Sequence, residues 1–266
     1  MSILCYHTVD EDFRSRLSLT PAQFEEHCRW LAADRDVVDL ATAVDLMDRR
    51  GRLPSGTVAL TFDDGLEGVY RHVYPTLIRH GLPATVFMVA DTLTGDHPHV
   101  DWVDGTPPGV LGTMTAEQML EMARDGIDFG SHSSRHLDLP SLDEDDCEAD
   151  LRHSREVLEE LLGRPVETLA YPRGRHSAST RRASQRAGVR QAFSLPERPE
   201  PISTLAIPRV GVYDHNRMTT VRVKTMRHYL PVRTSRVYPV AYAASRAVRR
   251  AAGRLTGGQR RAGGRT

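Results

Sequence analysis

The sequence predicts an α/β fold of repeated β-α units around a largely parallel sheet or barrel. Two observations point there. Short apolar runs alternate along the chain with amphipathic stretches of helical spacing, the order expected when crossover helices pack on parallel strands. A chain of 266 residues, 39% hydrophobic and 26% charged, also suits one domain of ordinary size with a substantial core.

Taken in order, the apolar runs predict strands over residues 3–6, 58–62, 84–89, 127–130, 168–171, 191–194 and 207–212. Between them, residues 21–33 follow Thr20, a good N-cap, and place Phe24, Cys28 and Leu31 on one helical face. Predicted helices 69–80 and 116–124 stop at Gly81 and near Gly126, as helices do when a left-handed residue closes the last turn. Residues 143–162 open with acidic side chains, carry Leu151, Val157, Leu158, Leu161 and Leu162, and end at Gly163 with Pro165 beyond. The stretch 92–113, rich in Gly, Pro, Asp and His, is long for a connection and is expected to border a site. Residues 1–230 are read as one domain, and 231–266, rich in Arg, Ala and Gly, as a tail outside its core.

The net charge is zero, yet no Asp or Glu follows Asp214 while Arg crowds the last stretch. An acidic body thus carries a basic tail. Within the tail, Tyr238, Val240, Tyr242, Val248 and Leu255 accompany Arg246, Arg249 and Arg250. This is either a basic amphipathic segment able to lie peripherally on an anionic membrane or a solvated tail; no nucleic-acid partner is implied. Cys5, Cys28 and Cys147 form neither a zinc knuckle nor a disulfide framework and fit a reducing compartment. With no basic n-region and no run near the ~20 apolar residues that span a bilayer, a cytoplasmic location without a secretory signal is expected.

Two adjacent carboxylates, Asp63 and Asp64, emerge in Thr61-Phe62-Asp63-Asp64-Gly65 where a predicted buried strand meets a loop, the place where α/β enzymes put catalytic groups. Neighbouring residues point in different directions, so one carboxylate can bind a metal while the other faces water; a solvated turn is the plainer alternative. After another predicted strand, Gly130-Ser131-His132-Ser133-Ser134-Arg135-His136 supplies two imidazoles four positions apart. Two His and one Asp make a nitrogen and oxygen set suited to zinc or a similar divalent ion. A haloacid-type phosphatase is excluded, because its two carboxylates need an intervening residue.

These motifs, with the later Ala170-Tyr171-Pro172-Arg173-Gly174, resemble the ordered motifs of the polysaccharide deacetylase family, carbohydrate esterase family 4, with the NodB homology fold. The resemblance runs from Ile3 to about Val212. It implies a distorted (β/α)7-type barrel, with Asp63 as general base and Asp64, His132 and His136 holding a divalent metal, zinc by their chemistry. It also implies a backbone N–H near Tyr171 as oxyanion donor and an N-acetylated amino-sugar glycan as substrate. The opening Ile3-Leu4-Cys5-Tyr6-His7 is similar to the poly-N-acetylglucosamine deacetylase-like subgroup, whose first strand ends in Tyr-His. No Leu-x-His follows Tyr171 to provide the usual acid, so His7 is the candidate general acid, with His176 next. His72, His80 and His153 fall in predicted helices, and His97 and His99 in the long loop.

Two departures stand out. The family's Arg-x-Pro-aromatic motif here reads Ala170-Tyr171-Pro172-Arg173, so the Arg that holds the base is displaced and an Arg occupies the aromatic position. Arg209 either supplies the missing cation or is a surface charge. The aspartate and tryptophan motif of many members is also missing; Trp102, beside Asp101 in the long loop, either lines a sugar subsite or packs under its loop. The expected activity is removal of N-acetyl groups from an amino sugar in a polysaccharide or glycoconjugate. The competing readings are hydrolysis of another C–N amide or cyclic imide and a catalytically idle carbohydrate-binding protein.

Overall fold

A computed structural model describes residues 2–96, 100–103, 106, 110–226 and 228–235. Its strands are β1 (Ser2–Tyr6), β2 (Thr8–Val9), β3 (Ser18–Leu19), β4 (Asp36–Val37), β5 (Thr57–Phe62), β6 (Thr85–Met88), β7 (Asp128–Ser131), β8 (Thr168–Ala170), β9 (Gln191–Ser194), β10 (Ile207–Pro208) and β11 (Val210–Gly211). Its helices are α1 (Pro21–Asp34), α2 (Leu40–Arg50), α3 (Tyr74–His80), α4 (Asp91–Thr94), α5 (Ala116–Arg124), α6 (Glu144–Leu162), α7 (Ala178–Arg186), α8 (Met218–Lys224) and α9 (Tyr229–Thr234).

Eight parallel strands follow one another in the order β10-β9-β8-β7-β6-β5-β1-β11, with β4 added beside β5. The two ends of this order are halves of one segment. Ile207 and Pro208 pair with Phe193 and Ser194, whereas Val210 and Gly211 pair with Leu4 and Cys5. Residues 207–211 therefore bridge β9 to β1 and draw the sheet into a nearly closed barrel built from seven chain segments, the seven predicted. The predicted single strand 207–212 divides at Arg209, because Pro208 has no N–H for the ladder and the pairing partner changes there.

Alternation along each strand sorts the side chains. From β5, Val58, Leu60 and Phe62 face outward into a cluster with Phe24, Leu31, Leu77 and Met122 of the surrounding helices. Ala59 turns inward with Ile3, Phe87, Phe193 and Ile207, and these meet Leu40, Ala43, Val44 and Met47 of α2. Helix α2 thus plugs the amino-terminal end of the barrel. Each large side chain so buried contributes roughly 1.5–3 kcal/mol, and this frame carries the polar groups at the carboxyl-terminal end.

Local signals account for most helices. Thr20 and Gln23 make a capping box at α1, Asp143 caps α6 by accepting from the Asp145 and Asp146 N–H groups, and Gly163 closes it at φ 65°. The predicted helix 69–80 instead begins with a π-helical turn, Val69–Val73, before α3. Pro75 offers no N–H to the carbonyl of Arg71, and a widened turn takes up the mismatch. Helix α2 lies outside the predicted elements although Asp39 caps it and its buried residues recur at helical spacing. Helix α7 shows little apolar periodicity, since its buried residues are Thr180, Ala183 and Ser184. Helix α9, with Leu230 buried, runs past the boundary placed at residue 230. Residues 236–266, and with them the membrane-contact reading of the tail, lie outside the described residues. No helix of the described residues is long and apolar enough to cross a membrane.

Candidate active site

The site is built at the carboxyl-terminal ends of β1, β5 and β7. Beyond β5, the Asp63 N–H still bonds to the Tyr6 carbonyl at 3.0 Å. The chain then turns sharply through Asp64 (φ 74°) and Gly65 (φ 63°), two left-handed residues in succession, a conformation that Asp tolerates and Gly favours. The adjacent carboxylates consequently enter different surroundings.

Asp63 faces a cation inside the barrel. Both its oxygens accept from Arg209, Nη1 to Oδ1 and Nη2 to Oδ2, each at 2.7 Å. Arg209 is 1% exposed and Asp63 2%, so Arg209 is no surface charge. Its Nη1 also donates to Thr61 Oγ1 at 3.0 Å, and its guanidinium lies 5.3 Å from the centre of the Phe87 ring. Cys5 Sγ donates to Asp63 Oδ2 at 3.3 Å. Burial favours the neutral acid, but the Arg209 charge and hydrogen bonds overcome it and hold the Asp63 carboxyl well below the usual range. Asp63 is thus kept ionised in a dry setting.

Asp64 faces two imidazoles instead. Its Oδ1 lies 3.4 Å from His132 Nε2 and 3.4 Å from His136 Nε2 and has no hydrogen-bond partner among the described residues. Donor atoms that approach a tetrahedral ion at about 2.1 Å stand about 3.4 Å apart, so the spacing fits a shared zinc-like ion. His132 Nδ1 lies 2.7 Å from the Ala170 carbonyl, which can only accept; Nδ1 therefore carries a proton and Nε2 is turned to the site, the orientation a metal ligand needs. Burial drives the His136 pKa down to about 3, which keeps that ring neutral, as a ligand must be.

The loop carrying the two His is pinned from behind. Ser133 Oγ accepts the His136 N–H at 2.9 Å, Ser131 Oγ accepts the Ser133 N–H at 3.2 Å and meets Ser154 Oγ of α6 at 2.7 Å. Asp150 of α6 accepts the Ser134 N–H at 3.2 Å. Among the described residues, the non-glycine residues with positive φ are Asp64, Ser133, His136 and Arg173. All four belong to this site, where left-handed backbone, costing about 1–3 kcal/mol each, commonly concentrates.

The groups open onto a cleft of about 850 Å³ lined by Asp63, Asp64, His132, His136, His7 and Trp102 among others. One His7 ring nitrogen, one Asp63 oxygen and Cys5 Sγ lie within 4.8 Å of one another, so His7 stands beside Asp63. Its ring stacks on Tyr213 at 6.4 Å, and burial lowers its pKa against the opposing pull of Asp64 and Asp63. His176 also lines the cleft but pairs with Glu200 at 3.2 Å. His97 and His99 lie outside the described residues. Trp102 packs with Leu66, Val89 and Val100 under the loop, and its ring stacks on His136 at 5.1 Å while bordering the cleft.

Tyr171 requires a correction. Its N–H is engaged by the Phe193 carbonyl at 3.0 Å, its hydroxyl donates to the Leu205 carbonyl at 3.0 Å, and its ring is buried among Leu139, Cys147 and Leu151. Tyr171 itself therefore offers nothing to an oxyanion; Pro172 has no N–H, and the next amide in this turn belongs to Arg173. Tyr213, Cys5 and the supporting pair Asp150 and Ser154 are not among the site residues expected from the sequence. Tyr213 directly follows the last predicted strand, a signal of the kind that singled out Asp63, whereas nothing local distinguishes Asp150 and Ser154 from other polar residues of α6.

The chain is also similar to known proteins. Residues 50–192 fit the polysaccharide deacetylase family profile. The Bacillus subtilis protein YxkH is 28% identical over 195 residues, covering 73% of this chain and 64% of that protein. The poly-beta-1,6-N-acetyl-D-glucosamine N-deacetylase of Staphylococcus aureus is 26% identical over 209 residues, covering 74% and 68%. This chain thus spans about two thirds of the length of these curated relatives. In fold, the Streptococcus pyogenes deacetylase PplD superposes with a TM-score of 0.71 at 22% identity, covering 85% of this chain and 98% of that one. The chain belongs to the polysaccharide deacetylase family.

Proposed function

We propose that the protein is a metal-dependent hydrolase that removes N-acetyl groups from an amino sugar within a polysaccharide or glycoconjugate. The observation that carries this reading is the triad of Asp64, His132 and His136 converging on one point beside an ionised, buried Asp63 at the floor of an open cleft. The named activity of the Staphylococcus aureus relative supports it. Two imidazole nitrogens and one carboxylate favour zinc over magnesium. Bound there, such an ion supplies polarisation of the acetyl carbonyl and a lowered pKa for the attacking water.

The chain's own groups perform the proton transfers. Asp63 takes the proton of the attacking water; until then Arg209 keeps it ionised, and the two hydrogen bonds hold it in place. An amine cannot leave as an anion, so His7, bordering the same cleft, donates a proton to the nitrogen as the C–N bond breaks and acetate departs. The Arg173 amide is the candidate oxyanion donor of the Pro172–Gly174 turn, and Trp102 offers an apolar face to a sugar ring. A cytoplasmic setting and a peripheral membrane contact through the basic tail rest on the sequence alone.

Acetate release from N-acetylglucosamine oligomers, lipid-linked amino sugars and nucleotide sugars, before and after metal removal and zinc restoration, tests the reading. Zinc-restored acetate release from at least one of them is expected. Ring opening of a cyclic imide without acetate release would overturn it.

A further inference from the structure

We propose that Arg173 selects a substrate bearing an oxyanion group, phosphate or carboxylate, next to the N-acetylated sugar; this rests on the deacetylase reading above. Arg173 occupies the position that the family pattern gives to an aromatic residue. It sits in the Pro172–Gly174 turn with φ 57° and ψ 13°, a left-handed conformation unfavourable for a long side chain. Gly174 follows at φ 68°, and a Cβ there would lie 2.3 Å from Leu195 Cβ. The turn is thereby clamped against the start of the 195–200 segment, and Leu195 N–H bonds to the Gly174 carbonyl at 3.2 Å.

Both clamped segments line the cleft and each presents an exposed arginine to it, Arg173 and Arg198. Neither pairs with a carboxylate among the described residues, whereas Arg175 of the same rim bonds to Asp138 at 2.9 Å. Glu200 is engaged by His176 and by Ser194 Oγ at 2.7 Å; Glu197 is exposed and pairs with none of these arginines. Arg173 lines the same cleft as Asp64, His132 and His136. A cation held in an unfavourable backbone conformation, near a site built for another cation and without a protein counterion, is explained by a ligand that brings the negative charge. A guanidinium fork suits phosphate and carboxylate oxygens, which it can grip with two parallel hydrogen bonds.

The test compares zinc-restored wild type with Arg173→Asn, since Asn tolerates the left-handed region, and with Arg173→Lys, which keeps the charge and loses the fork. Three substrates are used: a neutral N-acetylglucosamine oligomer, the same oligomer with a phosphate monoester on the neighbouring sugar, and one with a carboxylate there. Wild type should favour one anionic substrate at least about tenfold in kcat/KM, mainly through KM, and the preference should shrink with added salt. Arg173→Asn should bring the ratio toward one, with Arg173→Lys between. The preferred anion identifies the source. Equal use of all three substrates by wild type, or an undiminished ratio in Arg173→Asn, overturns the inference. Calorimetric binding of N-acetylglucosamine 1-phosphate and of an N-acetylated sugar acid provides a readout independent of turnover. If no substrate releases acetate, the deacetylase reading fails, while anion binding that Arg173→Asn abolishes still supports the inference and no anion binding to wild type refutes it.

Discussion

Asp63 and Asp64 are neighbours in the chain, equally buried, and differ in what answers their charge. Asp63 is matched by Arg209, a protein cation reaching it through the barrel from the segment that closes the sheet. Asp64 is matched by two imidazoles whose nitrogens stand at ligand spacing, with one of its oxygens left without a hydrogen bond. A buried carboxylate strongly favours a counter-charge. Where the protein supplies it, the carboxylate is available for proton transfer; where the protein withholds it, the place is suited to a metal.

The most severe way to break this contrast is on the Asp64 side. His132→Ala and His136→Ala should each lose a stoichiometric divalent ion by elemental analysis and drop acetate release to background. Retained metal and turnover in both would mean that Asp64 faces no metal. On the Asp63 side, Asp63→Asn should keep the ion yet lose about 10²- to 10⁴-fold in turnover, the range of a missing acid or base.

His7→Ala sharpens the comparison because His7 touches the Asp63 half of the site. It should retain metal and fold, lose turnover within the same ~10²- to 10⁴-fold range, and remove the alkaline limb of the rate profile, where the acid deprotonates. Near-normal turnover with an unchanged profile would move the acid elsewhere, and His176→Ala is then the variant to measure.

The smallest expected kinetic effect, with the largest effect on stability, belongs to Arg209→Met. It leaves Asp63 buried without its partner, which typically destabilises by roughly 3–5 kcal/mol. Because Asp63 has a depressed pKa in the folded protein, its contribution is full above the unfolded value of about 3.9 and is lost as the pH falls through the lower folded value. The difference in Tm between wild type and variant should therefore be widest near neutrality and narrow below about pH 4. In the variant, burial without Arg209 raises the Asp63 pKa, so the acid limb of activity should move to higher pH. A variant with unchanged Tm and an unchanged acid limb would show that Arg209 does not tune Asp63.

Motifs at strand ends were the readable part of the site. Asp63, Asp64, His132 and His7 each lie within two residues of the end of a predicted strand, so period and composition together mark where the chain leaves the barrel. Tyr171, the last residue of a predicted strand, is buried, because its N–H continues the pairing with β9 and its ring turns to the α6 and α7 side. Arg209 shows the reverse: flanked by Pro208 and Val210, it offers no local sign of whether it faces in or out. Its direction follows from the change of partner between β9 and β1.

By itself the sequence determined the seven barrel segments, helices α1, α3, α5 and α6, and the residue types of the site, since these depend on hydrophobic period, capping chemistry and motif order over a few residues. Only the tertiary structure decided that Arg209 crosses the barrel interior to Asp63, that His7 stands beside the base, that α2 plugs the far end, and that Arg173 lines the same cleft as the two histidines. Those relations join residues tens to hundreds of positions apart, and their geometry is set by barrel closure and by the register of strands that are not neighbours in the chain.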